Sequence, residues 1–258
     1  MTFVSLIAVG FVVGTVVGLT GVGGASIMTP LLIAFGVNPL VAIGSDLAMT
    51  VPTRLYGAIL HYRQRTVDLT IVKALCAGGI PASLAGIVGL HWVYRFVDAA
   101  QLRHWVAHAV GASLILSAFL IVVSLWKQRE SAQHHTAPRP IRTWRLWLTG
   151  AAVGLVVTLT SIGSGSLTLP LLTIIAPGIA LPDLIGSDIA FSAMLVPVAA
   201  AGHWSLGDVN PVLALNLLIG AMPGTYVGAK CCRALHQRWL RPAVALVLVF
   251  VATKLLAV

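Results

Sequence analysis

Charge is the scarcest property of this chain. Only 9% of its 258 residues are charged, against about a quarter in soluble domains. Acidic residues are rarer still: 7 Asp+Glu stand against 16 Lys+Arg, a net charge of +9. There are three cysteines, Cys76, Cys231 and Cys232. Their odd number and their setting exclude a disulfide framework and a metal-ligand pattern. No Gly-x4-Gly-Lys phosphate loop occurs, so nothing points to ATP driving or to any other cofactor. The first residues lack a basic stretch before the apolar run, so we expect Phe3–Leu19 to be a membrane segment, not a cleaved signal peptide. What the chain has in abundance is apolar surface: 58% hydrophobic residues and a mean hydropathy of +0.97. That excludes a disordered chain, a coiled coil and a water-soluble fold, and it makes the bilayer the solvent. In a soluble protein the basic excess would suggest nucleic acid. Here it fits cytoplasmic loops, and no nucleic-acid partner is expected.

Apolar segments can be marked along the whole length. The first half carries residues 3–20, a short segment at 26–35, then 41–61, 69–92 and 102–126. The second carries 144–160, a short segment at 166–176, then 184–204, 211–231 and 240–256. Tryptophans 92, 126, 144, 147, 204 and 239 stand at segment ends, where an interfacial indole belongs. The fold expected is an all-α polytopic membrane protein. Its parts are a first transmembrane repeat (1–126), a basic linker (127–143) and a second repeat (144–258).

The two halves align. At an offset of 140, Gly10 and Gly14 fall on Gly150 and Gly154, and the run from Thr20 through Ser26 and Pro30 falls on Thr160, Ser166 and Pro170. After a two-residue insertion near Pro177 the offset is 142: Gly44-Ser45-Asp46 falls on Gly186-Ser187-Asp188, and His61 on His203. Gly78, Pro81 and Gly86 fall on Gly220, Pro223 and Gly228. Loop charges set the relative orientation. Loop 61–73 carries Arg63, Arg65 and Lys73, and its counterpart 203–210 carries no Lys or Arg. Loop 230–241 carries Lys230, Arg233, Arg238 and Arg241, against Arg95 and Arg103 in loop 91–103. With the basic loops and the linker inside, matching loops face opposite sides. The repeats are therefore inverted, with the N-terminus outside. Each half has about four spans plus a short Gly-broken half-helix, which either crosses fully or re-enters. Inverted repeats with broken segments at matching positions point to a transporter with its site between the halves.

Three features carry the chemistry. The first is the pair of Gly-rich breaks. Gly21, Gly23 and Gly24 interrupt one long apolar run, and Ser26 or Thr29 can cap a new helix with Pro30 in its first turn. The second break repeats this with Ser161, Gly163, Ser164, Gly165, Ser166 and Pro170. A half-helix starting inside the membrane offers free N–H groups and a positive dipole end. We expect Thr20, Gly21, Gly23, Gly24, Ser26, Thr160, Ser161, Gly163, Ser164, Gly165 and Ser166 to form an anion site there. Glycines that only let helices pack closely are the alternative, and Gly10-x3-Gly14-x3-Gly18 has that form.

The second feature is Asp46 with Asp188, two carboxylates in apolar spans at matching positions. Both ionised would repel an anion, so at least one should carry a proton when the anion binds. The expected role is proton coupling, and the alternative is a staple to a neighbouring helix. Ser45, Thr50, Ser187 and Ser192 stand beside them on the same helices and could line a pathway. The third feature is Arg54, the one arginine away from the ends of an apolar span, whose repeat partner is Val196. It suits an oxyanion ligand, and equally a snorkelling residue or a partner of Asp46. His61 and His203 are expected to be solvated at segment ends. His104 and His108 have zinc-like i, i+4 spacing without a third ligand, and no metal site is expected.

The glycine motif at 20–32 and 160–172, the Gly44-Ser45-Asp46-Leu47 helix start and the His61-Tyr-Arg-Gln-Arg-Thr-Val67-Asp68 loop resemble the sulfite exporter TauE/SafE family, also called TSUP. The resemblance extends over nearly the whole chain. It implies a polytopic protein of the bacterial cytoplasmic membrane that moves sulfite, sulfonates or related sulfur-containing anions. The sequence departs from the family pattern at Ala25, Ser161 and Ser164, which replace glycines. It also has Asp46 and Asp188 where a Gly-Thr-Ser triplet ends in Ser.

The reading that follows is a secondary transporter of a small sulfur-containing anion, proton-coupled through Asp46 and Asp188. Its partners are the anion, protons and lipid. A cation held by the two Asp is the alternative. An intramembrane enzyme is not expected, because no nucleophile–base set or metal triad is in view. A monomer and a homodimer are both open.

Overall fold

The structure, a computed structural model, describes residues 3–20, 24–133, 142–232, 245–246 and 248–253. It is all-helical among them. The elements are α1 (Phe3–Thr20), α2 (Ala25–Ala34), α3 (Pro39–Arg63), α4 (Leu69–Phe96), α5 (Ala99–Gln133), α6 (Thr143–Thr160), α7 (Thr168–Ile175), α8 (Leu181–Ser205) and α9 (Pro211–Cys232). Helical residues follow at 245–246 and 248–253. Much of the segment marked at 240–256, the linker beyond Gln133, and Gly21 and Gly23 lie outside the described residues. So do the side chains of Thr20, Cys231 and Cys232.

Four described helices are long and apolar enough to cross a membrane: Leu69–Phe96, Ala100–Trp126, Leu181–Ser205 and Pro211–Gly228. Phe3–Leu19 and Ala25–Ala34 are apolar but shorter. The outer surface is clad in exposed Leu, Val, Ile and Phe, and Trp92, Trp126, Trp144, Trp147 and Trp204 are exposed near helix ends. Such a surface belongs in lipid. Helix α5 runs on past Trp126 to Gln133, so the backbone enters the basic stretch as helix.

Helix starts follow from local chemistry. Asn38 accepts the Leu40 N–H and precedes Pro39 at the head of α3. Asp68 accepts from Thr70 and Ile71 and opens α4. Asn210 accepts from Leu213 and precedes Pro211 at the head of α9. The breaks differ from expectation. Gly24 and Leu167 precede α2 and α7, and neither end has a side-chain cap. Ser26 and Thr29 lie inside α2, which puts Pro30 in its second turn; Ser166 precedes α7 without capping it. At the second break Ser161, Gly163 and Gly165, at positive φ, already turn the chain, so its hydroxyls remain available for other partners.

The first helix of each half packs on the fourth helix of the other. Helix α1 lies against α9, and α6 against α4. Gly10 and Gly14 face the Leu217 and Ala221 backbone, while Gly150 and Gly154 face the Leu75 and Gly79 backbone. These are the same contacts at the repeat offsets, and a Cβ on any of the four would strike the opposing main chain. Small residues at a helix seam allow this approach where lipid supplies no hydrophobic drive.

Helices α3 and α8 pack against each other in the middle and run antiparallel. At one end Gly44 meets the Asp208 carbonyl and Ser45 Oγ accepts the Asn210 N–H at 3.0 Å. At the other, Gly186 meets the Thr66 carbonyl and Ser187 Oγ accepts the Asp68 N–H at 2.9 Å. The Gly-Ser of each helix start thus pins the loop that opens α9 or α4.

The seam is testable. Gly150→Val should lower unfolding stability by about 1–3 kcal/mol, because the added atoms meet rigid backbone. Gly89→Ala, with open space around it, should cost nothing. Thermal unfolding of detergent-purified protein compares the two.

Candidate functional site

The site forms where the second glycine break lies along the α3/α8 pair. Asp46 and Asp188 are each the eighth residue of their helix, counting from Pro39 and Leu181. Both are buried. Asp46 Oδ2 accepts two hydroxyls, from Thr29 of α2 at 2.8 Å and from Ser161 at 2.7 Å. Elements from both glycine breaks therefore meet at one carboxylate oxygen. Ser161 holds a left-handed backbone, φ 62°, which turns the chain out of α6 and aims its hydroxyl at Asp46.

The chain then continues toward the other charges. The Ser164 carbonyl accepts Arg54 Nη2 at 3.0 Å. Asp188 lies beside the Gly165 N–H and the Thr168 hydroxyl, with Arg54 as its nearby cation. Arg54 feels both carboxylates. Four residues from Ser161 to Gly165 can reach at most about 14 Å. Within that reach the break strings together Asp46, Arg54 and Asp188, with backbone and hydroxyl groups between them.

Thr160 ties the break down, donating to the Val156 carbonyl at 2.7 Å and accepting the Ile162 N–H at 3.2 Å. The Gly163 carbonyl accepts the N–H groups of Leu167 and Thr168 and the Thr168 hydroxyl. Ser166 is approached by the Ser117 hydroxyl of α5 at 3.4 Å.

Four buried side-chain atoms have no hydrogen-bond partner among the described residues: Asp46 Oδ1, Asp188 Oδ1, Ser164 Oγ and Ser192 Oγ. All four belong to this strip or to the helices beside it. A buried polar atom without a partner costs roughly 1–3 kcal/mol, so their concentration here marks a place built to meet something else.

Of the residues expected at the site, Ser161, Ser164, Gly165, Arg54, Asp46 and Asp188 come together. Ser192 is buried on α8 with its hydroxyl unpaired, and Ser26 is buried on α2. Gly24 sits at the α2 start beside Val17. Thr50 is half-buried and its carbonyl accepts the Thr53 hydroxyl. Ser45 and Ser187 hold loops, as described. Three partners were missed in the sequence: Thr29 reads only as a cap, and Thr168 and Ser117 carry no signal of their own. The expectation of a solvated His203 also fails. It is fully buried, between Asp208 and the Thr158 carbonyl, because α8 carries it inward against α6. Its counterpart His61 is half-buried and bonds Thr66 Oγ1 at 2.8 Å. The His104 and His108 rings pack together at a tilt of 51°, and no group of three metal-ligating side chains occurs among the described residues.

Openings flank the two ends of α3. One, about 480 Å³, is lined by Arg65, Asp68, Ala180 and Asp183 among others. The other, about 180 Å³, is lined by Asn38, Tyr94, Arg103 and Asp208 among others. Ala180 matches Asn38 at the repeat offset, and Asp208 matches Thr66.

Apolar helices around a strip of buried charge define a multi-pass membrane protein with an internal polar site. The chain belongs to the sulfite exporter TauE/SafE family, whose model matches residues 6–255. This is a family of membrane transporters, not of enzymes. The chain is 37% identical to the probable membrane transporter protein YjnA of Bacillus subtilis (strain 168), covering 98% of this chain and 99% of the relative. It is 29% identical to the probable membrane transporter protein YdhB of the same organism, over 93% and 95% of the two chains. A third, YunE, also a probable membrane transporter protein of that strain, is 25% identical over 99% and 98%. No solved structure matches.

The double acceptor role of Asp46 Oδ2 sets a stability test. Asp46→Leu leaves the Thr29 and Ser161 hydroxyls without their acceptor and should cost about 1–3 kcal/mol. Asp46→Asn keeps an acceptor oxygen and should stay within about 1 kcal/mol of the parent protein. Denaturation midpoints in detergent distinguish them.

Proposed function

We propose that the protein is a secondary transporter of a small sulfur-containing anion, such as sulfite or a sulfonate, coupled to protons through Asp46 and Asp188. The observation that carries this reading is Arg54 set on the Ser161–Gly165 segment between two buried carboxylates. Arg54, the Ser164 hydroxyl and the Ser192 hydroxyl can donate to an oxyanion. With both Asp ionised the three charges sum to −1, which repels an anion. With both protonated the sum is +1, which attracts one. Each proton taken up also neutralises a buried carboxyl whose Oδ1 lacks a partner. The family's description as sulfite exporters supports the sulfur-containing class.

The halves are inverted repeats in this reading. The antiparallel course of α3 and α8, and the crosswise pairing of α1 with α9 and α6 with α4, support it. The 61–73 loop and the linker then face the cytoplasm, the 203–210 loop and the N-terminus face outward, and the membrane is the bacterial inner one. Alternating access would move the halves about the α3/α8 contact, exposing the openings at the two ends of α3 in turn.

A second reading takes the unpartnered Oδ1 atoms as ligands for a cation in place of a proton-coupled anion. The two readings differ in sign. Binding of methanesulfonate, whose charge is constant over the range, should weaken as pH rises from 5 to 8 under the first. Binding of a monovalent or divalent cation should strengthen under the second. In proteoliposomes Asp46→Asn and Asp188→Asn together should flatten the pH profile of sulfonate transport, and Arg54→Gln should lower its rate at least about tenfold. Unchanged transport and pH profile in the double variant would remove the proton-coupling role.

A further inference from the structure

The α8–α9 turn holds a second buried ionisable cluster that the transport site does not use. His203 Nε2 lies 2.8 Å from the Thr158 carbonyl oxygen. A carbonyl only accepts, so Nε2 carries a hydrogen. His203 Nδ1 lies 3.2 Å from Asp208 Oδ2. The other carboxyl oxygen, Oδ1, accepts the Tyr94 hydroxyl at 2.6 Å. With Nε2 committed, the Nδ1–Oδ2 contact is a hydrogen bond only if one further proton sits between them. Either His203 is an imidazolium beside a carboxylate, or a neutral imidazole accepts from a protonated Asp208. Both forms have the same net charge, zero. Loss of that proton leaves the pair at −1 and sets the bare Nδ1 lone pair against a carboxylate oxygen.

The pair has a way to exchange this proton. His203 is fully buried and Asp208 is 6% exposed, but Asp208 and Tyr94 line the 180 Å³ opening together with Arg103 of α5. The cluster also has a mechanical consequence. The Asp208 carbonyl packs on Gly44, the Val209 side chain touches the same glycine, and the Asn210 N–H bonds Ser45. Asp46 is the next residue. The charged and titratable groups facing the pair are Tyr94 from α4 and Arg103 from α5, while α6 presents the Thr158 carbonyl and α3 the Ser45 hydroxyl.

The matching loop lacks the device. Asp208 is replaced by Thr66 at the repeat offset, and the Thr66 hydroxyl donates to the His61 carbonyl, so a neutral His61 with its hydrogen on Nδ1 can donate to Oγ1 without any added proton. We propose that His203 and Asp208 form a proton-binding latch that closes the α8–α9 turn over the start of α3 while the shared proton is bound, and that releases the turn when it is lost to water. The other mouth has no such pair. Only the statement that the latched mouth faces outward rests on the transport reading above. The latch itself stands on local geometry, and its test reads no transport.

The test places a thiol under the latch. Val209→Cys, in protein whose Cys76, Cys231 and Cys232 are replaced by Ala, is reacted with a water-soluble maleimide in nanodiscs from pH 5 to 9. Each rate is divided by that of the denatured protein at the same pH, which cancels thiol ionisation. The normalised rate should rise at least about fivefold with pH when the Asp208–His203 pair is intact. Asp208→Asn offers an amide N–H to Nδ1 and an oxygen to Tyr94, imitating the protonated pair without an exchangeable proton. It should stay slow at every pH. A flat profile with Asp208 present overturns the latch. So does fast labelling of Asp208→Asn at all pH values, which would make the carboxylate a purely structural tie. Either result leaves the roles of Asp46 and Asp188 untouched.

Discussion

Backbone contact through glycine, made crosswise between the two halves, is the constraint on which the rest of this structure depends. Lipid gives two helices no hydrophobic reason to associate, so they must gain from close van der Waals contact. Gly10 and Gly14 on α1, and Gly150 and Gly154 on α6, supply it against α9 and α4. Because each partner belongs to the other half, neither half can close on itself. The pairings force α3 and α8 into the centre, antiparallel, and bring the two glycine breaks to bear on them. The buried carboxylates then face elements from both halves: Asp46 takes one hydroxyl from α2 and one from the break before α7.

The central strip departs from the rule that buried polar groups are paired. Its departures have a common sense. Thr29 and Ser161 are both spent on a single oxygen of Asp46, leaving the other bare, although Ser164 Oγ is also unpaired elsewhere on the strip. A fold selected for stability alone would distribute these donors among the acceptors. Holding both hydroxyls on Oδ2 instead fixes the carboxyl plane and leaves Oδ1 without a partner. Arg54 shows the same logic. It is anchored by a neutral carbonyl, Ser164, so its charge is shared by both Asp and locked to neither.

Much of this was legible in the residues, and the limits have physical causes. The Asp46/Asp188 match and the Gly44-Ser45 and Gly186-Ser187 pairs stood out because charge and glycine are conspicuous in apolar sequence. So did the breaks, since glycine and proline mark where a helix must yield. Thr29 stood out only as a cap, and Thr168 not at all. A threonine in a membrane helix can return its hydroxyl to its own backbone, as Thr149, Thr158 and Thr225 do here. Nothing local tells those from one that reaches across. His203 was misjudged for the opposite reason. Its position at a helix end suggests water, and only the packing of α8 on α6 against Thr158 shows the ring enclosed. The cap of the second half-helix was misplaced because Gly163 and Gly165, at positive φ, turn the chain without it.

Symmetry explains the framework, and its violations explain where direction can enter. A transporter built of two equal inverted halves would present the same mouth to each side, and nothing in it would distinguish the two faces. Here the position of Arg54 is occupied in the other half by Val196, buried and uncharged. The cation is therefore held by the second break and has no counterpart at the first. At the mouths, Asp208 with a buried histidine answers Thr66 with a half-buried one. Both substitutions add charge to one side of an otherwise matched pair. Both lie on or against α3 and α8, the helices through which the halves meet. In the proposed transport cycle, an electrostatic bias at that contact gives the two orientations unequal energies, a lever that two equal halves would lack.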